Sequence, residues 1–285
     1  MRQKRVVVTG AAGMLGSAVV ELAPEGITAV GVDLPDGDLT DPTQAMQAVA
    51  DPHPSAVIHC AAYTDVDGCT RDPELAFRVN AEAAGNVARA CRACGAHLVA
   101  ISTDYVFDGE KGAPYDEDDE PAPINPYGES KLEGERRAAR EHDRLLIVRT
   151  QWLFGPGGKN FVGTIVTKGR ELGSLRVVAD EFGSPTFTRD LAVRLWELVA
   201  REAVGTVHCT NSGVCSWAEL AREALVAAGS AEVQVQEISR TQWESPTRRP
   251  RYSPLTSVRL PEMGLAPLRS WREAVRDYAR DHLRG

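Results

Sequence analysis

Three glycines that follow the first apolar segment constrain the fold of this chain more than any other feature of its sequence. The segment Arg5-Val6-Val7-Val8-Thr9 is β-branched and apolar, as a buried strand would be, and the apolar spacing becomes helical from Leu15 onward. Between them stands Gly10-Ala11-Ala12-Gly13-Met14-Leu15-Gly16. A strand, a glycine turn and a helix let backbone N–H groups approach a pyrophosphate at the helix N-terminus. The pattern predicts a dinucleotide site, with a simple tight turn as the alternative.

The second apolar segment ends in an acidic residue. Ile27-Thr28-Ala29-Val30-Gly31-Val32 is typical of a strand and leads into Asp33. A carboxylate at this place can accept hydrogen bonds from the hydroxyls of an adenosine ribose. A solvated turn residue is the alternative, but the preceding glycine loop and strand favour the ribose. Asp38 and Leu39 follow before Asp41-Pro42 opens a helix.

Three further apolar segments, at residues 56–60, 98–101 and 145–148, alternate with helical patterns. One of these patterns opens at Asp72-Pro73 and runs to about residue 94. The alternation predicts an α/β fold with a Rossmann-like, doubly wound parallel sheet that binds ligands at the carboxyl ends of its strands. Ala61-Ala62-Tyr63 lies at one such end and Thr103 at another. His59 lies inside an apolar strand and is interpreted as a core histidine.

Tyr127-Gly128-Glu129-Ser130-Lys131 places a tyrosine and a lysine four residues apart. On a helix that starts at Pro126 the two side chains share one face. A nearby ammonium favours the phenolate, so we expect Lys131 to bring the pKa of Tyr127 toward the neutral range. Such a pair also occurs by chance on solvated helices, and its weight comes from the nucleotide-binding pattern that precedes it.

Composition excludes several classes of protein. The net charge of -8 argues against nucleic acid or an anionic membrane as a partner. Apolar runs are too short to span a membrane, and residues 1–5 lead into the first strand without a signal-peptide core, so we expect a cytoplasmic protein. The six cysteines, including the Cys91-x-x-Cys94 pair, lack a matching zinc half-site and are interpreted as reduced thiols. We predict no metal site, and the acidic loop at residues 115–120 is interpreted as a solvated insertion.

Taken together, these motifs resemble the extended short-chain dehydrogenase/reductases, and within them the dTDP-4-dehydrorhamnose reductase family. The most specific segment is Ser102-Thr103-Asp104-Tyr105-Val106-Phe107-Asp108-Gly109. Sugar-nucleotide dehydratases of the superfamily have Thr-Asp-Glu here, whereas Tyr105 replaces the second carboxylate, so reduction is favoured over dehydration. Further matching segments are Pro126–Glu135, Arg149–Gly155, Asn160–Val162, Gly183–Thr186, Asp190–Ala192 and Arg249-Pro250 with Ser253 and Leu255.

The resemblance implies a role for each matching residue. The catalytic residues would be Thr103, Tyr127 and Lys131. The cofactor, NADPH or NADH with dual use, would contact Gly10, Gly13, Met14, Leu15, Gly16, Asp33, Asp38, Leu39, Ala61, Ala62, Tyr63, Tyr127 and Lys131. The substrate, a nucleotide sugar, would contact Thr103, Asp104, Tyr105, Trp152, Asn160, Phe161 and Arg249. Trp152 could instead be a core aromatic, and Arg248 and Arg251 beside Arg249 could be solvated.

The resemblance also implies organisation and function. Residues 1–151 would form the NAD(P)-binding domain and residues 152–285 most of a smaller α/β substrate domain, with later segments crossing back onto the sheet. The expected reaction is reduction of the C4 ketone of dTDP-4-dehydro-β-L-rhamnose to dTDP-L-rhamnose. A reductase of another dTDP-4-keto-6-deoxy sugar, including a streptose type, and a non-catalytic NADP-binding regulatory subunit are the alternatives. Family members that dimerise around magnesium carry a glutamate where this chain has Ala18, so a monomer or a weak homodimer is expected.

Overall fold

The computed structural model describes residues 4–284. The first half contributes five strands, β1 (Lys4–Thr9), β2 (Ile27–Val32), β3 (Ala56–His59), β4 (His97–Thr103) and β5 (Leu145–Thr150). Its helices are α1 (Met14–Glu21), α2 (Pro42–Ala50), α3 (Val66–Arg71), α4 (Pro73–Phe77), α5 (Ala83–Cys94) and α6 (Pro126–Glu141). Asp41 caps α2 and Pro126 occupies the first turn of α6, as the sequence predicts.

The second half is built from shorter strands and five helices. The strands are β6 (Leu153–Phe154), β7 (Ser174–Val178), β8 (Phe182–Gly183), β9 (Thr186–Phe187), β10 (Gly205–His208), β11 (Asn211–Ser212), β12 (Cys215–Ser216), β13 (Gln234–Ile238) and β14 (Leu268–Ser270). The helices are α7 (Phe161–Leu172), α8 (Thr188–Ala200), α9 (Trp217–Ala227), α10 (Arg259–Glu262) and α11 (Trp271–His282).

The central sheet has six parallel strands in the order β10-β5-β4-β3-β1-β2. Apolar side chains cover both of its faces: one cluster joins the sheet to α1 and α8, and the other joins it to α2 and α5. Such a sheet buries both faces, which explains why its strands are almost continuously apolar in sequence. The predicted doubly wound parallel sheet is confirmed, and β10 from the second half forms one of its edges.

The helix predicted from Asp72 to about residue 94 is interrupted. Residues Arg78–Glu82 form a π-helical turn between α4 and α5. Within this turn the Asn80 side chain accepts a hydrogen bond from Tyr63 N at 2.8 Å and donates to Tyr63 O at 3.0 Å. The wider turn thus presents Asn80 to the end of β3, a long-range requirement that the apolar spacing of the helix does not reveal.

The small elements of the second half surround their own apolar core. Phe154, Phe187, Trp271 and Tyr278 pack together with residues of α7, α9 and α11. β7 pairs with β13, and Leu175 and Val177 of β7 pack with residues of α7 and α9 in a second apolar cluster. β8 pairs with β12, whose Cys215 joins the first core. Within residues 4–284, no helix is both long and apolar enough to cross a membrane.

Candidate active site

The glycine loop forms a close cradle between β1 and α1. A Cβ at Gly16 would lie 2.1 Å from the Gly10 carbonyl oxygen, and one at Gly10, where φ is +66°, would lie 2.7 Å from Ala61 N. Gly13 is the N-cap of α1 and provides no side-chain cap. The first N–H groups of α1 therefore stay available to an anion, and the loop fits a pyrophosphate.

Asp33 lies at the carboxyl end of β2, directly beside this loop. Its carboxylate accepts hydrogen bonds from Ala12 N at 2.9 Å and Leu34 N at 2.9 Å. The side chain is thus fixed to the cradle instead of extending freely into solvent. Asp38 is held by its own turn, with Thr40 N donating to Oδ1, and Leu39 is buried.

The end of β3 provides the wall opposite Asp33. Ala61 and Ala62 present only methyl groups there, and the backbone of Tyr63 is fixed on both sides by Asn80. Asn80 also donates to Ser130 Oγ at 3.0 Å, which ties this wall to α6. His59, the last residue of β3, is buried and hydrogen-bonded to Thr9, and burial lowers its pKa to about 3. The interpretation of His59 as a core histidine is confirmed by its burial.

Tyr127 and Thr103 are brought together at the carboxyl end of β4. Both side chains are buried, and Thr103 lies close enough to Tyr127 to act on its pKa. The Tyr127 ring meets the Tyr105 ring edge to face, with centroids 5.4 Å apart. Burial raises the pKa of Tyr127 and the neighbouring Thr103 opposes this rise, whereas Lys131 is not among the groups that shift it. The prediction that Lys131 lowers the tyrosine pKa is therefore wrong for this arrangement.

Lys131 lies one helical turn beyond Tyr127 and is also buried. Its ammonium donates to the Ile101 carbonyl oxygen at 2.8 Å. An ammonium has three donors, so two remain to meet the hydroxyls of a ribose. Burial lowers the pKa of Lys131 to about 8, while the Glu135 carboxylate acts in the opposite direction.

Asp104 follows Thr103 and is fully buried. Thr103 Oγ1 donates to Asp104 Oδ1 at 3.1 Å, and Ser253 Oγ donates to Oδ2 at 2.6 Å. Burial raises the pKa of Asp104 to about 7, and these two hydrogen bonds oppose the rise. Ser253 itself is anchored by its backbone, since its carbonyl oxygen accepts from Gln151 Nε2 at 2.6 Å.

Charged groups of the second half surround Tyr105. Arg249 is half-buried, and its Nη2 donates to Asp67 Oδ1 on α3 at 3.2 Å. Its Nε is buried and has no partner among the described residues. Glu181 lies close to both Arg249 and Tyr105, and burial raises the pKa of Glu181. Arg249 thus reaches the cleft with a donor to spare, whereas Arg248 is exposed and pairs with Glu110.

Aromatic side chains line the second half of the cleft. Trp152, which has a positive φ of 47°, stacks on Trp217 with centroids 3.5 Å apart and an angle of 13°. The Phe161 ring also contacts Trp217, with centroids 4.6 Å apart and an angle of 51°. Trp217 lies near Glu181 and so connects this stack to the charged groups around Tyr105.

Asn160 is engaged in local structure. Its Oδ1 caps α7 by accepting from Gly163 N at 2.9 Å, and its Nδ2 donates to Gly155 O, Gly158 O and Tyr278 Oη. The amide is fully used in shaping the 155–160 loop, which packs on the cradle, since a Cβ at Gly158 would lie 3.1 Å from Met14 Cβ. A direct contact of Asn160 with substrate stays a prediction.

The acidic loop is not the solvated insertion expected from its charge. Tyr115 and Glu117 are buried, and Glu117 accepts hydrogen bonds from His208 N at 2.8 Å and Val258 N at 2.9 Å. The loop therefore fastens the second half to the edge of the sheet. Across residues 4–284, no group of three or more His, Cys, Asp or Glu residues is arranged to hold a metal ion.

Comparison with known proteins agrees with this geometry. The family model described as RmlD substrate binding domain matches residues 4–284. A dTDP-4-dehydrorhamnose reductase from Streptomyces griseus is 41% identical over 280 residues, which cover 95% of this chain and 91% of the relative. The chain belongs to the dTDP-4-dehydrorhamnose reductase family.

Two further similar proteins are informative about the cofactor and the substrate. The solved dTDP-4-dehydrorhamnose reductase of Bacillus anthracis, in complex with NADP, is 40% identical with a TM-score of 0.95, covering 98% of this chain and 99% of that one. A Streptomyces antibioticus relative is 38% identical over 278 residues, covering 96% of this chain and 94% of its own length. That relative is named a probable dTDP-4,6-dihydroxy-2-methyloxan-3-one 4-ketoreductase.

Sequence reasoning missed four residues of this reductase cleft. Asn80 falls within the helical pattern that runs from Asp72 to about residue 94, and Ser253 belongs to a matching motif that assigns it no role. Glu181 and Trp217 carried no signal at all, because they reach the cleft from distant elements and match no local pattern. A search for polar residues within otherwise apolar helical spacing could have singled out Asn80.

Proposed function

We propose that this chain reduces the C4 ketone of dTDP-4-dehydro-β-L-rhamnose to dTDP-L-rhamnose with NADPH or NADH. The observation that carries the proposal is the convergence of Thr103, Tyr127 and Lys131 at the sheet edge that holds the cofactor cradle. The glycine loop, Asp33 and Lys131 fit a dinucleotide, and Arg249 with the Trp152–Trp217 stack offers a charged and an aromatic surface to a sugar nucleotide.

When bound, a reduced nicotinamide supplies the hydride. Tyr127 donates its phenolic proton to the carbonyl oxygen of the sugar, and Thr103 hydrogen-bonds the same oxygen. Lys131 binds ribose hydroxyls with the two donors that Ile101 leaves free. Because burial keeps Tyr127 protonated at neutral pH, the tyrosine enters the reaction as the acid that a reduction requires.

The proposal includes the domain division, the cellular location and the oligomeric state that the family resemblance implies. Residues 1–151 form the cofactor-binding part and residues 152–285 most of the substrate part, with β10 and α8 returning to the sheet. The enzyme works in the cytoplasm as a monomer or a weak homodimer. Ala18, on the buried face of α1, offers no carboxylate for a magnesium-built interface. A dimer that dissociates on addition of a chelator, followed by light scattering, would overturn this last assignment.

The test is Tyr127→Phe in a coupled assay. The purified protein is supplied with the products of a 4,6-dehydratase and a 3,5-epimerase acting on dTDP-glucose, and NADPH or NADH oxidation is followed. The substitution keeps the ring and removes the proton donor, so kcat should fall at least about 100-fold while cofactor affinity is retained. Tyr252→Phe is the control: it also removes one phenolic hydroxyl, but from a ring that packs on Phe182, so it should leave kcat unchanged. A Tyr127→Phe protein with most of its turnover would exclude the proposal.

A second candidate is reduction of another dTDP-4-keto-6-deoxy sugar, which the name of the Streptomyces antibioticus relative favours. Such substrates differ by a hydroxyl or a methyl group, and a few side chains can change a preference of this size. This candidate would be favoured if NAD(P)H were oxidised slowly with the epimerised sugar and rapidly with a non-epimerised or 2-deoxy keto sugar. Cofactor binding without any turnover would indicate the non-catalytic subunit.

A further inference from the structure

The single hydrogen of the Thr103 hydroxyl is directed to Asp104. Its Oγ1 donates to Asp104 Oδ1 at 3.1 Å, accepts from Tyr105 N at 3.2 Å and lies near the Tyr127 phenol. A hydroxyl offers one hydrogen and two lone pairs. If that hydrogen points to Asp104, it cannot point to a substrate oxygen beside Tyr127. The lone pair left on Thr103 then attracts the Tyr127 hydrogen as well.

Ser253 occupies one oxygen of the Asp104 carboxyl group and leaves the other to Thr103. Its Oγ donates to Oδ2 at 2.6 Å, and its place is fixed by Gln151 Nε2 on its carbonyl and by its own N–H on Phe182 O. With Oδ2 occupied as an acceptor, a proton on the Asp104 carboxyl belongs on Oδ1, where it faces Thr103. No basic side chain within 4 Å neutralises Asp104 in the described part of the chain.

We propose that Asp104 and Ser253 are positioning residues that set the direction of the Thr103 hydroxyl. In the neutral state Asp104 Oδ1–H donates to Thr103 Oγ1, Tyr105 N fills the second lone pair, and the Thr103 hydrogen points to the reacting carbonyl oxygen. In the charged state the Thr103 hydrogen turns to Asp104. The inference rests on the proposed role of Thr103 in carbonyl reduction.

The groups around Asp104 favour the neutral form of its carboxyl group during turnover. Tyr127 is a buried phenol and Tyr105 a partly buried one, and desolvation raises the pKa of both. The more distant Glu181 and Arg249 lie near Tyr105 and carry opposite charges. Burial raises the pKa of Asp104 to about 7, so the carboxyl is mostly neutral below this pH.

The test compares pH profiles of kcat for the wild type, Asp104→Asn, Ser253→Ala and Ser253→Thr, each normalised to its own value at pH 6. In the wild type kcat should fall as the pH rises through about 7. In Asp104→Asn the amide donates to Thr103 at every pH, so the decline in kcat should start only near pH 8, where Lys131 loses its proton.

Ser253→Ala removes a donor to the Asp104 carboxylate and should move the decline in kcat up by about one pH unit. Ser253→Thr keeps the hydroxyl and should restore the wild-type profile.

A substrate-free measurement separates this inference from the proposed function. In protein labelled with 13C at aspartate carboxyl groups, one resonance should titrate near pH 7, move upward in Ser253→Ala and disappear in Asp104→Asn. Superimposable profiles of all variants, with no aspartate titrating above pH 6, would overturn the inference even if the enzyme turns over. A protein with the predicted titration but without turnover on any keto sugar would overturn the proposed function instead.

Discussion

Gly128 lies directly against the Tyr105 carbonyl: a Cβ at residue 128 would stand 2.0 Å from that oxygen. Gly134, almost two turns further along α6, lies in the same way against Asn80 O, at 2.4 Å. The two glycines let α6 approach the turn after β4 and the π-helical turn before α5. This approach is what brings Tyr127 to Thr103 and Ser130 to Asn80.

We therefore expect Gly128→Ala to disturb the site even though alanine favours helices. The methyl group meets backbone, which cannot rotate away, so α6 must shift and Tyr127 with it. The expected result is a fall in kcat of at least about tenfold and a loss of stability of about 1–3 kcal/mol, measured by assay and by urea unfolding. Gly85→Ala in α5 is the matched control. Its Cβ would lie 3.4 Å from Arg137 Cβ, and it should be neutral or stabilising.

A second prediction concerns cofactor preference. Asp33 is fixed beside the cradle by Ala12 N and Leu34 N, and residues 34–38 contain no arginine or lysine to receive a 2′-phosphate. We expect both cofactors to be used, with NADH well accepted. Asp33→Asn keeps an acceptor for Ala12 N but removes the charge, so the ratio of kcat/KM for NADPH to that for NADH should rise about tenfold, or about 1.4 kcal/mol. Asp36→Asn in the same turn should leave the ratio unchanged, and an equal rise there would assign the effect to overall charge.

A third prediction concerns the buried ion pair behind the site. Arg149 on β5 donates to both oxygens of Glu135 on α6, at 3.0 and 2.7 Å. Glu135→Gln would leave a buried guanidinium without its counter-charge, and it should cost about 3–5 kcal/mol of unfolding free energy. Glu133→Gln, two residues earlier, removes the partner of the more exposed Arg137 and should cost less than about 1 kcal/mol. Similar losses for both variants in urea unfolding would contradict this ranking.

The parts of the molecule that follow from local rules were predictable from the sequence. The apolar strands, the glycine loop, the Asp41 cap and the Tyr127–Lys131 spacing each depend on residues that are close in the chain, and the structure has them as predicted. The burial of Glu117 depends instead on β10 and on the segment before α10, which lie far away in sequence. The acidic run at residues 115–120 therefore predicts a solvated loop, although the Glu117 carboxylate accepts hydrogen bonds from two backbone N–H groups and one hydroxyl.

The pKa of Tyr127 likewise depends on contacts that the sequence does not show. The four-residue spacing correctly predicts that Lys131 shares a helix face with Tyr127. It does not show that the ammonium bonds to Ile101 O, nor that the phenol is buried among Tyr105, Cys69 and Ala76. Desolvation by these neighbours outweighs a charge one turn away, and neighbours of this kind are known only once the chain is folded.

The last prediction tests the burial of Asp104 through stability. Its pKa is about 7 in the folded protein and near its ordinary, lower value in the unfolded chain. Between these values the folded state holds the proton more tightly, so the contribution of Asp104 to stability is present at low pH and is lost as the pH rises toward 7. Asp104→Asn cannot ionise and escapes this loss. Its melting temperature relative to the wild type should therefore be higher at pH 8 than at pH 5.

Asp108→Asn is the control for this comparison. The hydrogen bonds from Tyr115 and the Glu110 N–H lower the pKa of Asp108, so its carboxylate is charged in both the folded and the unfolded state from pH 5 to pH 8. Its difference from the wild type should be the same at both pH values. If Asp104→Asn showed the same flat dependence as Asp108→Asn, Asp104 would be an ordinary charged carboxylate, and the direction of the Thr103 hydroxyl would need another cause.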